Sequence, residues 1–570
     1  MKKPIIEFKD FTFRYKTQNK ATLHNINLTL YEGEKVLILG PSGCGKSTLA
    51  NCINGLIPFS YKGEITGSLK VAGIETKDAS IFEISKHVGT VQQDTDAQFV
   101  GLSVGEDIAF ALENRAMPRA EMLPKVLRTA NIVGMEDFLM QPPFQLSGGQ
   151  KQKVALAGIL HDEEEVLLFD EPLAALDPAM GMTAVDLIDQ IYRQQHKTVV
   201  IIEHRLEDVL YRHVDRIVMM DQGNILMDST PDELLSTGLL KEHGIREPLY
   251  ISALKNAGIK FTETVHLDNI EELDIAPYRQ AILDEMKASK PYEIPERGEL
   301  LLKVDHVDFS YEQRKVLDDV SFEVHRGERI AIVGKNGAGK STMAKMLCGI
   351  IRPQKGSITV NGQDYKALSI REIGRLIGYV MQNPNQMLVK DMIMDEVRLA
   401  LDLNKFDEEL AKQRVEETLK MCGLYSMRNW PVSVLSYGQK KRVTIASILA
   451  LKPDIIILDE PTAGQDYHHY TEIMNFLENL NKEFQITILF ITHDMHLAIE
   501  YTDRAIVFAD SRCIADDFVF KVLSSSDIIE EANLKQTSLV TLAKQVGVDP
   551  ESYIRHFIEK EREERANGSE

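Results

Sequence analysis

The chain has 570 residues, 44% of them hydrophobic and 7% aromatic, which is the composition of a folded globular protein and excludes a disordered or fibrous one. At roughly 100–200 residues per domain, this length gives about two to four domains, each able to bury a full core. The formal net charge of −21 argues against a general nucleic-acid binder, which needs basic surface to displace counterions from phosphates.

The first ten residues, MKKPIIEFKD, contain no apolar run of the kind a signal peptide requires, so no signal peptide is expected. Further along, the longest apolar runs, such as ITILFI at 486–491, are strand-sized. A membrane-spanning helix needs about 20 predominantly apolar residues, so none is expected, and any membrane role is peripheral. The five cysteines (Cys44, Cys52, Cys348, Cys422, Cys513) show no CxxC pairing or metal-ligand spacing, which reads as reduced thiols in the cytoplasm.

An aromatic-x-Tyr strand (Phe13-Arg14-Tyr15) comes first, followed by the apolar run at 34–39. That run leads into Gly40-Pro41-Ser42-Gly43-Cys44-Gly45-Lys46-Ser47 and then Thr48. Such a glycine-rich loop lets backbone N–H groups turn inward around phosphates at a helix start. Lys46 then reaches the β/γ-phosphates and Ser47 binds Mg²⁺. Cys44, beside Lys46 at a helix start, is expected to have a lowered thiol pKa. Buried-strand runs follow at 166–169, ending in Asp170-Glu171, and at 198–202, ending near His204. Near-continuous apolar strands with functional residues at their carboxyl ends indicate a parallel α/β sheet.

The whole series then recurs. Phe309-Ser310-Tyr311 precedes Gly334-Lys335-Asn336-Gly337-Ala338-Gly339-Lys340-Ser341 and Thr342. With a constant offset of 289, Gln93 maps to Gln382, Ser147 to Ser436, Asp170-Glu171 to Asp459-Glu460, Asp177 to Asp466 and His204 to His493. Chance does not hold such a register, so the chain is a duplication. The expected division is a first domain at 1–239, a helical acidic bridge at 240–298, a second domain at 299–525 and a helical tail at 526–570. The charged run Glu559–Arg565 reads as a solvated, fraying helix end.

In each half the aspartate (Asp170, Asp459) has the hard oxygen that Mg²⁺ demands. The glutamate (Glu171, Glu460) sits where it can polarise an attacking water. His204 and His493, each 33 residues after that glutamate, fit γ-phosphate sensors. Gln93 and Gln382 complete Mg²⁺ coordination and position water. Tyr15 and Tyr311 either stack on adenine or are core-edge aromatics.

Leu146-Ser147-Gly148-Gly149-Gln150 and Leu435-Ser436-Tyr437-Gly438-Gln439 resemble the signature of ATP-binding cassette (ABC) ATPases. The resemblance covers both halves. It implies two tandem P-loop domains, each a mixed or parallel sheet core with an antiparallel β subdomain and a helical signature subdomain. It also implies that the two cassettes pair within one chain and that each ATP uses the Gly-rich loop of one and the signature of the other. Site one then combines Lys46, Ser47, Gln93, Asp170, Glu171 and His204 with Ser436, Gly438 and Gln439. Site two combines Lys340, Ser341, Gln382, Asp459, Glu460 and His493 with Ser147, Gly149 and Gln150. Asp177 and Asp466 match the D-loop aspartate. The Tyr437 ring, where the other signature has Gly148, is expected to point outward and to make the two sites unequal.

The segments Gln93–Phe99 and Gln382–Met387 resemble the glutamine loop of energy-coupling-factor importers, which take up vitamins, vitamin precursors, or cobalt and nickel. The implied function is that of an ATPase subunit on the cytoplasmic face of the membrane. Its partners are an integral-membrane coupling subunit and a substrate-binding membrane subunit. Docking grooves are expected just after Gln93 and Gln382, at Gln98 and Gln386. The alternative is a soluble twin-cassette ATPase acting on the ribosome. Its linker should be basic, whereas residues 241–297 carry eleven acidic against eight basic side chains.

Overall fold

The computed structural model describes residues 2–93, 98–160, 164–173, 176–261, 266–287, 297–312, 314–462, 465 and 467–567, the side chains of 566 and 567 excepted. Asp466 and the glutamine-loop residues Asp94–Ala97 lie outside them. The chain folds as two compact units, the first built from residues 1–279 and the second from 280 onward, apart from a few residues near 467 that group with the first. The boundary falls inside the segment expected as a bridge.

In unit one, β1 (Pro4–Tyr15), β2 (Leu23–Tyr31), β4 (Gly63–Val71) and β5 (Ile74–Glu75) form an antiparallel sheet of order β2-β1-β4-β5. The strands β3 (Lys35–Leu39), β6 (Val88–Val91), β7 (Val166–Asp170), β8 (Thr198–Ile202), β9 (Arg216–Asp221) and β10 (Asn224–Ser229) form a second sheet, of order β10-β9-β3-β8-β7-β6. All its pairings are parallel except β9–β10. Every residue of β3 and β8 is buried, as expected of strands covered on both faces. The helices Val104–Asn114, Arg119–Val133 and Gly148–Ile159 pack on one another as a separate layer.

Unit two repeats this plan. An antiparallel sheet holds β11 (Leu300–Tyr311), β12 (Arg314–His325), β14 (Lys355–Val360) and β15 (Gln363–Asp364) in the order β12-β11-β14-β15. The mixed sheet holds β13 (Arg329–Gly334), β16 (Ile377–Val380), β17 (Ile455–Asp459), β18 (Thr487–Ile491), β19 (Arg504–Ala509) and β20 (Arg512–Phe518) in the order β16-β17-β18-β13-β19-β20. Its helical layer is Ile393–Leu403, Glu408–Met421 and Tyr437–Leu449. Among the described residues, no helix is long and apolar enough to cross a membrane.

The C-terminal run corrects one expectation. Glu559–Arg565 belongs to the helix Pro550–Asn567, but its cations are docked rather than solvated. Arg562 Nη1 lies 2.8 Å from Asp503 and its Nη2 donates to Thr502 O at 2.7 Å. Arg565 stacks 4.3 Å over the Tyr501 ring, and Lys560 pairs with Glu285 of the helix Arg279–Lys287. Charge density alone reads as solvent-facing; here acidic and aromatic partners elsewhere in the unit supply the opposite face.

Candidate nucleotide sites

Parallel pairing brings the carboxyl ends of β3, β6, β7 and β8 to one end of the six-stranded sheet of unit one, with Asp170 beside Ile202. Gly40 begins the loop between β3 and the helix Lys46–Ile53. A Cβ on Gly40 would lie 2.3 Å from Met220 O of β9, and one on Gly334 2.0 Å from Phe508 O of β19. These two positions need glycine because the backbone passes directly over a neighbouring strand. Lys46 Nζ donates to Gly40 O and Pro41 O at 2.6 and 2.9 Å. Lys340 Nζ does the same to Gly334 O and Lys335 O at 2.5 and 3.0 Å. Both lysines are buried, with the ammonium held across the mouth of the loop.

Ser47 Oγ donates to Asp170 Oδ1 at 3.4 Å, and Gln93 Nε2 donates to Glu171 Oε2 at 2.6 Å. In unit two the Asp459 carboxylate accepts from Tyr379 OH at 2.7 Å, and His493 Nδ1 is 2.7 Å from Glu460 Oε1. The matching His204 Nδ1 stands 3.9 Å from Glu171. Burial raises the pKa of both Asp170 and Asp459. A hydroxyl beside a buried, undercompensated carboxylate is a hard-oxygen set that fits a magnesium ion. Glu171 and Glu460 both have left-handed backbone, φ 49° and 43°, with each N–H bonded 2.9 Å to the end of the adjacent strand. This strained conformation, repeated in both units, is of the kind that clusters at functional sites. Burial, and then the Glu203 carboxylate, push Glu171 up to about 7.

The structure brings the phosphate loop, Ser47, Gln93, Asp170, Glu171 and His204 to one strand edge, and their counterparts do the same in unit two. Tyr15 OH meets Thr48 Oγ1 at 3.2 Å, whereas Tyr311 is 45% exposed. The signature serines cap helices. Ser147 Oγ accepts from Gln150 N while Gln150 Oε1 accepts from Ser147 N, and Ser436 with Gln439 repeats this box. Asp177 caps the helix Pro178–Gln195 through Met180 N at 2.9 Å.

Three expectations change. Cys44 is only 4% exposed, and burial raises its thiol against the opposing pull of Lys46, so it is not activated. Tyr437 is the first residue of its helix, as Gly148 is of its own, and neither has positive φ, so the tyrosine meets no backbone restriction there. Its ring is 41% exposed but its hydroxyl turns back to donate to Gln382 O at 3.1 Å. Gln98 closes its own loop, accepting from Gln92 N at 3.0 Å and donating to Thr90 O at 3.2 Å, rather than standing free for a partner.

Two buried interactions escaped the sequence reading. Fully buried Glu203 accepts from Leu173 N, His204 N and Arg205 N, and Thr492 occupies its place in unit two. Fully buried Lys441 donates to Met381 O and Gln382 O at 2.8 and 2.9 Å, where unit one has Gln152. The signal was present in the 289-residue register, as mismatched pairs beside matched ones.

Near each glutamine segment lies an exposed apolar cluster. In unit one Val100 and Leu102 neighbour Met140, the two stretches being joined by Val104 N→Gln141 O and Gly105 N→Leu139 O. In unit two Val389 neighbours Trp430 and Val434, joined by Val432 N→Asp391 O and Ile393 N→Trp430 O.

The family model described as ABC transporter matches residues 23–174 and 317–463, and one described as ATP-binding cassette cobalt transporter matches 237–309. A protein of Clostridium perfringens, named as an ABC transporter ATP-binding protein, is 54% identical over 98% of this chain and 99% of its own length. One of the same name from Enterococcus faecalis is 53% identical over 99% of this chain and all of its own. The solved structure of cbiO1 from Clostridium perfringens, titled as part of the ABC transporter complex cbiONQ, is 32% identical, covers 43% of this chain and 99% of that one, and has a TM-score of 0.39.

Proposed function

The chain belongs to the ABC transporter ATP-binding family as a twin-cassette ATPase, and from that premise we propose that it is the energy-coupling subunit of a membrane importer of the energy-coupling-factor type. The cargo is a vitamin, a vitamin precursor or a metal ion. The match of residues 237–309 to a cobalt-transporter model supports this subgroup. The observation that carries the proposal is the exposed apolar cluster beside each glutamine segment. A contiguous apolar patch rimmed by polar residues marks an interaction site. A membrane-embedded coupling subunit, with the substrate-binding subunit beside it, is the partner such patches suit, and it holds the chain peripherally on the cytoplasmic face.

In this proposal Lys46 and Lys340 exchange their loop carbonyls for the phosphates of ATP. Ser436, Gly438 and Gln439 serve the ATP held by Lys46; Ser147, Gly149 and Gln150 serve that held by Lys340. Ser47, Gln93 and Asp170, and in unit two Ser341, Gln382 and Asp459, would hold Mg²⁺, which would neutralise phosphate charge. Glu171 and Glu460 take the proton of the attacking water. A base whose pKa lies near 7 suits that task, and burial sets Glu171 there. His204 and His493 hold the γ-phosphate. Gln93, bonded to Glu171, must release it to meet nucleotide, so the exposed apolar cluster beside the glutamine segment moves with the ligand.

The test is uptake of labelled Co²⁺, Ni²⁺ and a panel of vitamins and precursors by cells whose only copy carries Glu171→Gln and Glu460→Gln. Loss of uptake of one cargo is expected. Unchanged uptake of all of them overturns the importer reading.

A further inference from the structure

The signature helix of unit two, Tyr437–Leu449, carries a lysine at 441 where the 289-residue register gives unit one Gln152. Lys441 is fully buried, and its Nζ donates to Met381 O and Gln382 O at 2.8 and 2.9 Å. Those carbonyls follow β16, whose last residue, Val380, pairs with Leu458 of β17. The ammonium therefore lies at the end of the sheet that carries Asp459 and Glu460. Burying an ammonium is costly unless carbonyls or carboxylates compensate it. Burial lowers the Lys441 pKa to about 8, and the Asp459 and Glu460 carboxylates pull against that fall.

Unit one has no such cation at this place. Gln152 is neutral, and its Nε2 donates to Pro172 O at 2.6 Å. Unit one has instead a further carboxylate, where unit two has Thr492. Fully buried Glu203 accepts from Leu173 N, His204 N and Arg205 N at 2.9, 3.0 and 3.3 Å. After burial, Glu203 is the largest influence raising Glu171. Arg205 opposes it from a partly exposed position, with Asp208 3.5 Å away. Asp494, at the place of Arg205, caps the helix Met495–Tyr501 through His496 N at 2.9 Å. Both units keep the phosphate-loop lysine, so the buried charge around the two sites differs chiefly through Lys441 and Glu203.

A nucleoside triphosphate without a metal ion is a polyanion, and a site already holding an aspartate and a glutamate repels it. We propose that Lys441 lets the second nucleotide site hold metal-free nucleotide, whereas the first site accepts nucleotide only as its Mg²⁺ complex. The ammonium offsets the Asp459–Glu460 pair from a buried position, where a single charge acts most strongly. Gln152 gives the first site no such offset, and Glu203 adds to its repulsion. With Mg²⁺ bound, the attraction of the ammonium for phosphate is opposed by its repulsion of the metal, so the two sites converge. The role holds only if Lys340 and Asp459 belong to a nucleotide site, as proposed above.

The test is calorimetric titration of the β,γ-imido analogue of ATP into the full-length chain, once in EDTA and once with Mg²⁺. In EDTA one analogue per chain is expected, at least about tenfold tighter than any second event. With Mg²⁺, two are expected. Lys441→Gln, which copies unit one, should weaken the EDTA event at least about tenfold and leave both Mg²⁺ events within about twofold. Lys441→Met, which keeps the length but not the charge, should do the same and stands in if the glutamine variant does not fold. Two equal events in EDTA, none at all, or an EDTA event that both variants leave intact overturns the proposal. Loss of one Mg²⁺ event in the variants overturns it too, because the lysine would then serve only to hold Gln382. The unmodified chain with Mg²⁺ tests the ATPase reading by itself, so failure of that reading is told apart from failure of the metal-free site.

Discussion

Replacing Gly40 by alanine tests what the first phosphate loop requires of its backbone. The new Cβ would sit 2.3 Å from Met220 O and 2.7 Å from Cys44 Sγ. Carbon contacts are comfortable at about 3.5 Å, so the loop must shift by about 1 Å. Met220 lies in β9, whose neighbour Met219 pairs with Leu39 of β3, so the strand cannot yield and the loop must. Overpacking against a fixed partner costs about 3 kcal/mol at the upper end of its usual range. A displacement of about 1 Å in a group that positions substrate costs on the order of 10²-fold in rate. Gly43→Ala is the control, because nothing lies within 4 Å of its Cβ and only φ +75° opposes the change, worth about 1 kcal/mol. Calorimetric titration of a non-hydrolysable ATP analogue into the full chain, paired with urea unfolding, reads both terms. Gly40→Ala should lose one of two binding events and Gly43→Ala should keep both, with one weakened about fivefold at most. Gly43→Ala proving the more damaging of the two, or analogue binding by Gly40→Ala matching the unmodified chain, would show that close approach to β9 is not what fixes this glycine.

Glu171→Gln and Glu460→Gln should each cut steady-state hydrolysis on the order of 10²-fold or more while both analogue sites persist; full-rate hydrolysis in either variant marks its site as regulatory. Cys44, buried and with its thiol raised, should be labelled by a thiol reagent no faster than buried Cys52 in the native chain, as followed by peptide mass spectrometry. Rapid labelling that Mg-ATP blocks would contradict this. Tyr437→Phe removes the donor to Gln382 O, worth about 1 kcal/mol, and should change single-turnover hydrolysis at the site of Lys46 by about fivefold at most. A larger loss would assign the hydroxyl a direct part in the reaction.

What the sequence displayed was the chemistry held by short local patterns. Lys46, Asp170 and Glu171 were legible because a phosphate loop and an acidic strand end are each contiguous in sequence and recur in both halves. The parallel sheet followed from fully apolar strands ending in functional residues, which is how β3, β7 and β8 lie. Properties set by distant partners were hidden. Cys44 looked activated from its neighbour Lys46, but the surrounding core decides its pKa. Arg562 looked solvated from its own acidic run, but Asp503 waits 59 positions earlier. The Tyr437 ring was expected to point outward, but its hydroxyl turns back to the Gln382 carbonyl 55 positions earlier. The buried bonds of Glu203 and Lys441 are set by the surrounding fold, and only comparison of the two halves draws attention to them.

The most direct test of the importer account is isolation of the full-length chain from native membranes in mild detergent, alongside a Leu102→Glu, Trp430→Glu variant altered in both exposed clusters. The account predicts that the unmodified chain comes out in stoichiometric complex with a polytopic membrane protein, and that the variant loses this partner while still binding ATP at two sites. Recovery of the unmodified chain free of any membrane protein and sedimenting with ribosomal particles, or a variant that keeps its membrane partner, would contradict it.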